Sequence, residues 1–161
     1  MKKFVFTLLL VFVCHLGYAQ GINGLFNEFG SEKNADCVKV SSFMMSLGKM
    51  FAGHDEDAKI IRKIKSIKVL DLESCTASVK ERFNKKVNKL NLKGYDELMR
   101  VNDEGEKVRV LMKTKKETIR ELLFVCTGKE DCTLVQINGK FTKDNIDKLV
   151  NQETGKKHGR R

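Results

Sequence analysis

The stretch that decides the fold runs from Tyr95 to Cys126 and reads YDELMRVNDEGEKVRVLMKTKKETIRELLFVC. Its first part, from Tyr95 to Val101, is typical of a β-strand. The sequence NDEGE at 102–106 predicts a hairpin turn, in which Gly105 tolerates dihedral angles that other residues avoid. The order of strand and turn predicts a second, antiparallel strand directly after residue 106.

That second strand is indicated by alternation between apolar and charged residues. The buried side of the alternation is Val108, Val110, Met112 and Thr114. The other side carries charged residues and one apolar residue, Leu111, which the pattern places on the outer face. The alternation predicts a half-buried strand.

A helix is predicted next. Thr114 followed by Glu117 fits a capping box, in which the two side chains bond the first backbone N–H groups of a helix. The apolar residues behind it recur at helical spacing and are Ile119, Leu122, Leu123 and Cys126. These residues line one side of a helix that ends near Cys126.

The flanking segments complete a β-α-β-β-α-β order between Ile67 and Asn138. Residues 67–73 (IKVLDLE) predict the first strand, a helix with Val79 and Phe83 on its buried face follows, and Leu134–Asn138 predicts the last strand. This is the order of the ferredoxin-like unit, a four-stranded antiparallel sheet with two helices on one face.

Shorter elements surround this core. A helix at 22–29, a strand at 37–41 and a helix at 43–51 form an N-terminal α-β-α extension, and a C-terminal helix with Ile146, Leu149 and Val150 follows Thr142. We therefore expect a single α+β domain over residues 20–151. The charged, non-periodic residues 152–161 predict a disordered basic tail.

The first 19 residues have the layout of a secretory signal peptide. Two lysines precede an apolar run from Phe4 to Leu16, and Gly17, Tyr18 and Ala19 end the segment. The run is too short to span a membrane. The sequence thus predicts export, cleavage near Ala19 and a soluble protein in the periplasm or outside the cell.

The alternative is a lipoprotein anchored through Cys14. It is disfavoured by Val13, because lipoprotein processing requires a small residue before the cysteine. No later apolar stretch reaches membrane-spanning length.

The chain is strongly basic. It has 31 lysines and arginines against 21 aspartates and glutamates, a net charge of +10. Its most ordered basic feature is a stripe at helical spacing on the helix after the first core strand, consisting of Arg82, Lys85, Lys86, Lys89 and Lys93. The stripe predicts an acidic protein, a polysaccharide or a lipid headgroup as partner. A solvated face without a partner is the alternative.

Nucleic acid is not the expected partner. Export separates the protein from it, and no aromatic residue is interleaved in the stripe to stack on bases.

Four cysteines follow the signal segment: Cys37, Cys75, Cys126 and Cys132. An even number in an exported protein predicts disulfides, with three pairings open. The spacing of Cys126 and Cys132 fits neither a C-x-x-C redox pair nor a common zinc motif. A predicted position at a helix C-terminus also opposes a reactive thiolate at Cys126.

The predicted topology adds a second pairing. In a ferredoxin-like sheet the last strand lies beside the first, which brings Cys75 towards Cys132. The disulfide Cys75–Cys132 therefore competes with Cys126–Cys132. Unpaired buried thiols and a metal or redox site are the alternatives.

No catalytic constellation is present. There is no G-x-S-x-G, no glycine-rich phosphate loop and no H-E-x-x-H. The HDED sequence at 54–57 fits a helix start. We predict no catalytic residue, no metal ligand and no cofactor. The leading hypothesis is a non-enzymatic, exported binding module of the cell envelope. The alternatives are a thiol- or metal-dependent enzyme and an assembly protein whose homodimer buries the lysine-poor sheet face.

The chain contains the segments LFNEFGSEKNADCVKVSSFMM, DLESC, and YDELMRVNDEGEKVRVLMK followed by IRELLFVC. In these segments it resembles the domain-of-unknown-function family 4252 of exported, Bacteroidetes-type proteins. It covers roughly residues 22–151. The resemblance implies an α+β fold and an envelope location, and it implies no activity.

Overall fold

The protein is described by a computed structural model for residues 21–51 and 56–146, and it is an α+β protein. The helices are α1 (Ile22–Phe29), α2 (Ser42–Phe51), α3 (Glu56–Ile61) and α4 (Ala77–Asn88). The strands are β1 (Asp36–Val40), β2 (Ile64–Asp71), β3 (Asp96–Asp103), β4 (Glu106–Lys115), β5 (Thr118–Thr127) and β6 (Thr133–Phe141). Residues 143–146 form a further helical turn after β6.

All six strands belong to one antiparallel sheet with the order β1-β2-β6-β5-β4-β3. The strands β3, β4, β5 and β6 follow one another as hairpins. Strand β6 then returns beside β2, so the last strand lies next to the first strand of the predicted core. The α+β class predicted from the sequence is confirmed, whereas two helices, α2 and α3, lie between β1 and β2 where the predicted α-β-α extension has one.

Helices α1 and α4 cover one face of the sheet, which we call the helical face. The apolar side of α1 consists of Ile22, Leu25, Phe26 and Phe29, all buried. The Phe29 and Phe83 rings meet edge to face, with centroids 5.4 Å apart, and join α1 to α4. Leu70, Leu123 and Leu134 complete this core from the sheet. Each such buried side chain contributes roughly 1.5–3 kcal/mol.

The helix predicted at 114–126 is wrong, because residues 118–127 form strand β5. The supposed capping box is a tight hairpin turn in which Lys116 and Glu117 both have positive φ angles, of 48° and 59°. Two-residue hairpin loops require such angles, because their twist then matches that of the strands. The chain therefore reverses at the point where a helix was expected to start.

Two features of β5 give its apolar residues the spacing that is typical of a helix. A β-bulge between Ile119 and Glu121 adds one residue, so Ile119 and Leu122 fall on the same face at a spacing of three. Strand β5 is also central in the sheet, and its residues Leu122 and Leu123 are both buried, on opposite faces. Together these features remove the alternation that marks a half-buried strand. The β-α-β-β-α-β order of a ferredoxin-like unit is consequently not found.

The placement of Leu111 on an outer face is also wrong. Leu111 belongs to the core beneath the helices, together with Leu123. Val108 and Met112, expected on the buried side, point to the face opposite α1 and α4. Lys107, Arg109 and Lys113 share the helical face with Leu111.

Several predictions lie outside the described residues. These are the signal segment at 1–19, the tail at 152–161 and the C-terminal helix positions Leu149 and Val150. Within the described ranges, no helix is long and apolar enough to cross a membrane.

Candidate interaction surfaces

The basic stripe predicted on α4 lies against acidic residues of α1 and of the loop after it. Arg82 forms an ion pair with Glu32, and its guanidinium carbon lies 5.5 Å from the centroid of the Phe29 ring. Lys86 Nζ lies 2.5 Å from Glu28 Oε2. Exposed pairs of this kind contribute about 0.2–1 kcal/mol each. Arg82 and Lys86 therefore help to hold α4 against α1.

The other members of the stripe are exposed. Lys85 Nζ lies 2.7 Å from Glu81 Oε1, one turn earlier on α4, and this contact lowers the pKa of Glu81. Lys89 is the C-cap residue of α4, and Lys93 lies in the loop beyond it. Three of the five cations of the stripe, Arg82, Lys85 and Lys86, thus have a carboxylate partner in the part of the chain that the structure describes.

Helix α4 is anchored at its other side to the loop between β5 and β6. Lys80 is buried and its Nζ donates a hydrogen bond to the carbonyl oxygen of Glu130 at 2.8 Å. Asn84 Nδ2 donates to the carbonyl oxygen of Gly128 at 2.7 Å. Lys80 is therefore separated from the exposed basic stripe, and it stabilises the loop that joins the two cysteines Cys126 and Cys132.

Cys132 is fully buried beneath α4. Its thiol donates to Asn84 Oδ1 at 3.2 Å and to the carbonyl oxygen of Gly128 at 3.4 Å. Burial raises the pKa of this thiol. Cys75 belongs to the same core cluster, and the backbone N–H of Leu72 donates to the Cys132 carbonyl at 3.0 Å. Cys75 and Cys132 thus belong to one core cluster, and a disulfide between them stays a prediction.

Cys126 lies on the other face of the sheet. It is opposite Thr133 in the register of β5 and β6, and Val125, its neighbour, points into the core that contains Cys132. Cys126 therefore ends a strand and not a helix, so the helix-dipole argument does not apply. Burial and then the carboxylates of Glu106 and Asp131 raise the pKa of its thiol.

The four described thiols are unbonded in this structure. Cys37 packs against the core on the helical face, and Cys75 donates to the carbonyl oxygen of Lys33 at 3.5 Å. Burial raises the pKa of Cys75, and the carboxylate of Glu32 adds to this effect. None of the three resolved thiol shifts favours a thiolate.

A polar cluster that sequence reasoning missed lies on the helical face. Glu121 Oε1 accepts hydrogen bonds from the Tyr95 hydroxyl at 2.6 Å and from Gln136 Nε2 at 2.7 Å. Burial and the bond to Glu121 raise the pKa of Tyr95. Gln136 Oε1 is buried without a hydrogen-bond partner among the described residues. The cluster forms because the strand register brings Glu121 beside Gln136. No local sequence motif predicts it.

The face opposite α1 and α4, which we call the open face, carries three rows of side chains across the six strands. Each row follows from the strand register. The first row is Asp36, Asp71, Thr133, Cys126, Val108 and Val101. The second row is Val38, Val69, Val135, Phe124, Val110 and Met99. The third row is Val40, Ile67, Ile137, Leu122, Met112 and Asp96.

Of the three rows, the third is covered most by other apolar side chains. Leu122 packs with Ile119 and Phe141, and Ile146 of the helical turn after β6 joins this cluster. The second row is apolar from one edge of the sheet to the other, and its end residues are exposed. Exposed apolar side chains that adjoin one another indicate an interaction surface.

The family of the chain follows from a comparison with protein-family models. The model described as Domain of unknown function (DUF4252) matches residues 29–149. The chain belongs to the DUF4252 family. The resemblance seen in the sequence is thereby confirmed. Searches of curated proteins and of solved structures find no match.

The DUF4252 match covers both surfaces described above. It begins at the last residue of α1 and ends after β6, so it includes α4 and all six strands. Among the described residues of this DUF4252 chain, no group of three or more His, Cys, Asp or Glu side chains is arranged to hold a metal ion. The features available for function are therefore the basic stripe, the buried thiols, the Tyr95 cluster and the open face.

Proposed function

We propose that this DUF4252 protein is an exported, non-enzymatic binding module of the cell envelope, and that α4 and the loop after it contact an anionic polysaccharide. The observation that carries the proposal is the exposed group Lys85, Lys89 and Lys93, which follows one side of α4 into the next loop. Removal of residues 1–19 takes away Lys2 and Lys3, and the remaining net charge of +8 (+10 − 2) extends the attraction beyond direct contacts.

The contacts of the stripe favour Lys85, Lys89 and Lys93 over Arg82 and Lys86 for this role. Arg82 and Lys86 are paired with Glu32 and Glu28, so removing either of them also weakens the contact between α1 and α4. Lys85 is paired only with the exposed Glu81 on its own helix in the contacts described above. A polymer with regularly spaced anionic groups suits a linear array of lysines, and flexible lysines adapt to different anionic groups.

The test is retention on a sulfated-polysaccharide matrix. We expect the triple variant Lys85→Glu, Lys89→Glu, Lys93→Glu to elute below about 0.15 M salt, where charges further apart than about 8 Å are screened. The matched control is Lys107→Glu, Lys115→Glu, Lys116→Glu, which makes the same charge change on β4 and its turn. We expect the control to stay bound at that salt concentration.

Two results would contradict the proposal. If the α4 variant elutes at the same salt concentration as the wild type, Lys85, Lys89 and Lys93 do not bind the polysaccharide. If both variants lose retention equally, net charge alone explains the binding. Parallel binding to polyglutamate and to vesicles of anionic lipid separates the polysaccharide from an acidic protein and from a membrane surface. Export is tested separately by the intact mass of the purified protein, which should lack residues 1–19.

A further inference from the structure

The second row of the open face is exposed at its ends and near its middle. Val38 on β1 is 55% exposed and Met99 on β3 is 49% exposed, while Phe124 on β5 is 37% exposed. Val101, in the first row, is 45% exposed. The exposed side chains therefore lie at both edges of the sheet and on β5, while Val110 of the same row is buried between Phe124 and Met99.

The open face also differs in charge from the rest of the molecule. Its three rows contain no lysine or arginine, in a chain that has 31 of them. Their only charged residues are Asp36, Asp71 and Asp96, all towards the sheet edges. Two copies of a chain with a net charge of +10 repel each other, and this face is the surface where they meet without opposing basic groups.

We propose that the open face binds a second copy of the chain, forming a weak two-fold homodimer. The proposal is independent of the polysaccharide function, because α4 lies on the other face of the sheet. Two sheets packed face to face keep their strands within about 30° of each other, with the apolar side chains interleaved.

The rows are compatible with a two-fold axis. We place the axis parallel to the strands, between β5 and β6. Each row then faces the same row of the partner, with the order of the strands reversed. Val38 of one protomer then faces Met99 of its partner, and Phe124 and Val135 lie beside the axis. In the first row Asp71 faces Val108, so no carboxylate opposes another carboxylate.

The area of contact predicts the strength of the dimer. Strands about 4.8 Å apart and side-chain positions about 6.8 Å apart along a strand give the first two rows roughly 400 Å² of flat area. A standard stable interface buries about 800 Å² per partner. The dimer is therefore a concentration-dependent one that dissociates on dilution.

Sedimentation velocity from low-micromolar to near-millimolar concentration tests the proposal, on the protein purified from cells that express the full 161-residue chain. We expect a concentration-dependent shift from monomer to dimer. Phe124→Lys places two like charges beside the axis and should weaken the association constant at least about tenfold. The double variant Val38→Lys, Met99→Lys should do the same from the sheet edges, where both residues are exposed and folding is undisturbed.

The matched control is Ile61→Lys, an exposed apolar residue of α3 outside the three rows. It should dimerise like the wild type. Added salt should strengthen the dimer, because it screens the repulsion between two basic chains, whereas it weakens polysaccharide binding. A chain that stays monomeric throughout, or one whose dimer survives both row variants, would overturn the proposal while leaving the polysaccharide test unaffected.

Discussion

Leu122 and Leu123 are consecutive residues of β5 that are buried in different hydrophobic clusters on opposite faces of the sheet. Leu123 contributes to the large core beneath α1 and α4, and Leu122 packs with Ile119 and Phe141 on the open face. The central strand therefore joins two separate apolar layers. The cores differ in size, so the same truncation at neighbouring positions has different consequences.

We expect Leu123→Ala to destabilise the fold by about 3–4 kcal/mol and Leu122→Ala by about 2–3 kcal/mol. Leu123 is fully buried in a large core that cannot collapse around the cavity, whereas the smaller cluster relaxes more easily. Urea unfolding of each variant measures these free energies. Leu98→Ala, at an exposed position of β3, is the control and should cost no more than about 0.5 kcal/mol. Equal losses at Leu122 and Leu123 would contradict the unequal cores.

The α+β class and helix α1 were predictable from the sequence. The helical spacing of α1 survives because its apolar residues are buried on one side while residues on its other side are exposed. Strand β5 was not predictable in this way. A central position with burial on both faces, combined with a bulge, gives apolar residues at the spacing of a helix. Its identity is decided by the strands on either side of it.

The candidate site was also predictable from the sequence only in part. The positions of the basic stripe followed from the spacing on α4, which is a local property. Its pairing with Glu28 and Glu32 did not, because these residues come from another element that packs beside α4. The bonds from Tyr95 and Gln136 to Glu121 likewise depend on strand register and loop position. Contacts between elements that are distant in the sequence produce no regular spacing of residues, so the sequence alone does not predict them.

Acid should remove one ion-pair network at the β3–β4 edge. Hydrogen bonds from Arg100 and then Arg109 lower the pKa of Glu97 from 4.5 to about 2. Because the folded-state pKa is the lower one, the stabilisation is present above pH 4.5 and is lost as the pH falls towards about 2. Melting temperatures measured at steps through this range should fall more for the wild type than for Glu97→Gln. Parallel curves for the two proteins would show that the network contributes nothing to stability.

The Tyr95 hydroxyl should resist ionisation in the folded protein. Burial and the carboxylate of Glu121 raise its pKa above the ordinary value of 10.0. The unfolded chain therefore loses this proton first, and stability falls as the pH rises above that value. The chain has two tyrosines, and Tyr18 lies in the segment that export should remove, so Tyr95 is the only tyrosine of the processed protein.

In the processed protein, the ultraviolet absorbance of tyrosinate should rise only when the protein unfolds. Glu121→Gln removes the negative charge and should bring ionisation of Tyr95 closer to its ordinary pH while burial still opposes it. Titration of Tyr95 at the ordinary pH, with the fold intact by circular dichroism, would show that the cluster around Glu121 is open to solvent.

The last prediction concerns the disulfides that export would favour. Cys132, Cys75 and Cys37 all contact the core on the helical face, whereas Cys126 lies on the open face. A bond between Cys126 and Cys132 would have to pass from one face of the sheet to the other. We therefore expect Cys126 to keep a free thiol and any native disulfide to join two of the other three cysteines.

Peptide mapping of the folded protein under non-reducing conditions, after alkylation of free thiols, measures the pairing. The Cys126 peptide should carry the alkyl group, and Cys126→Ser should leave the disulfide content unchanged. Cys132→Ser is the matched comparison, because it removes a thiol that is fully buried in the core. A peptide that links Cys126 to Cys132 would require residues 127–132 to release their hydrogen bonds to Lys80 and Asn84, and it would contradict the separation of the two thiols by the sheet.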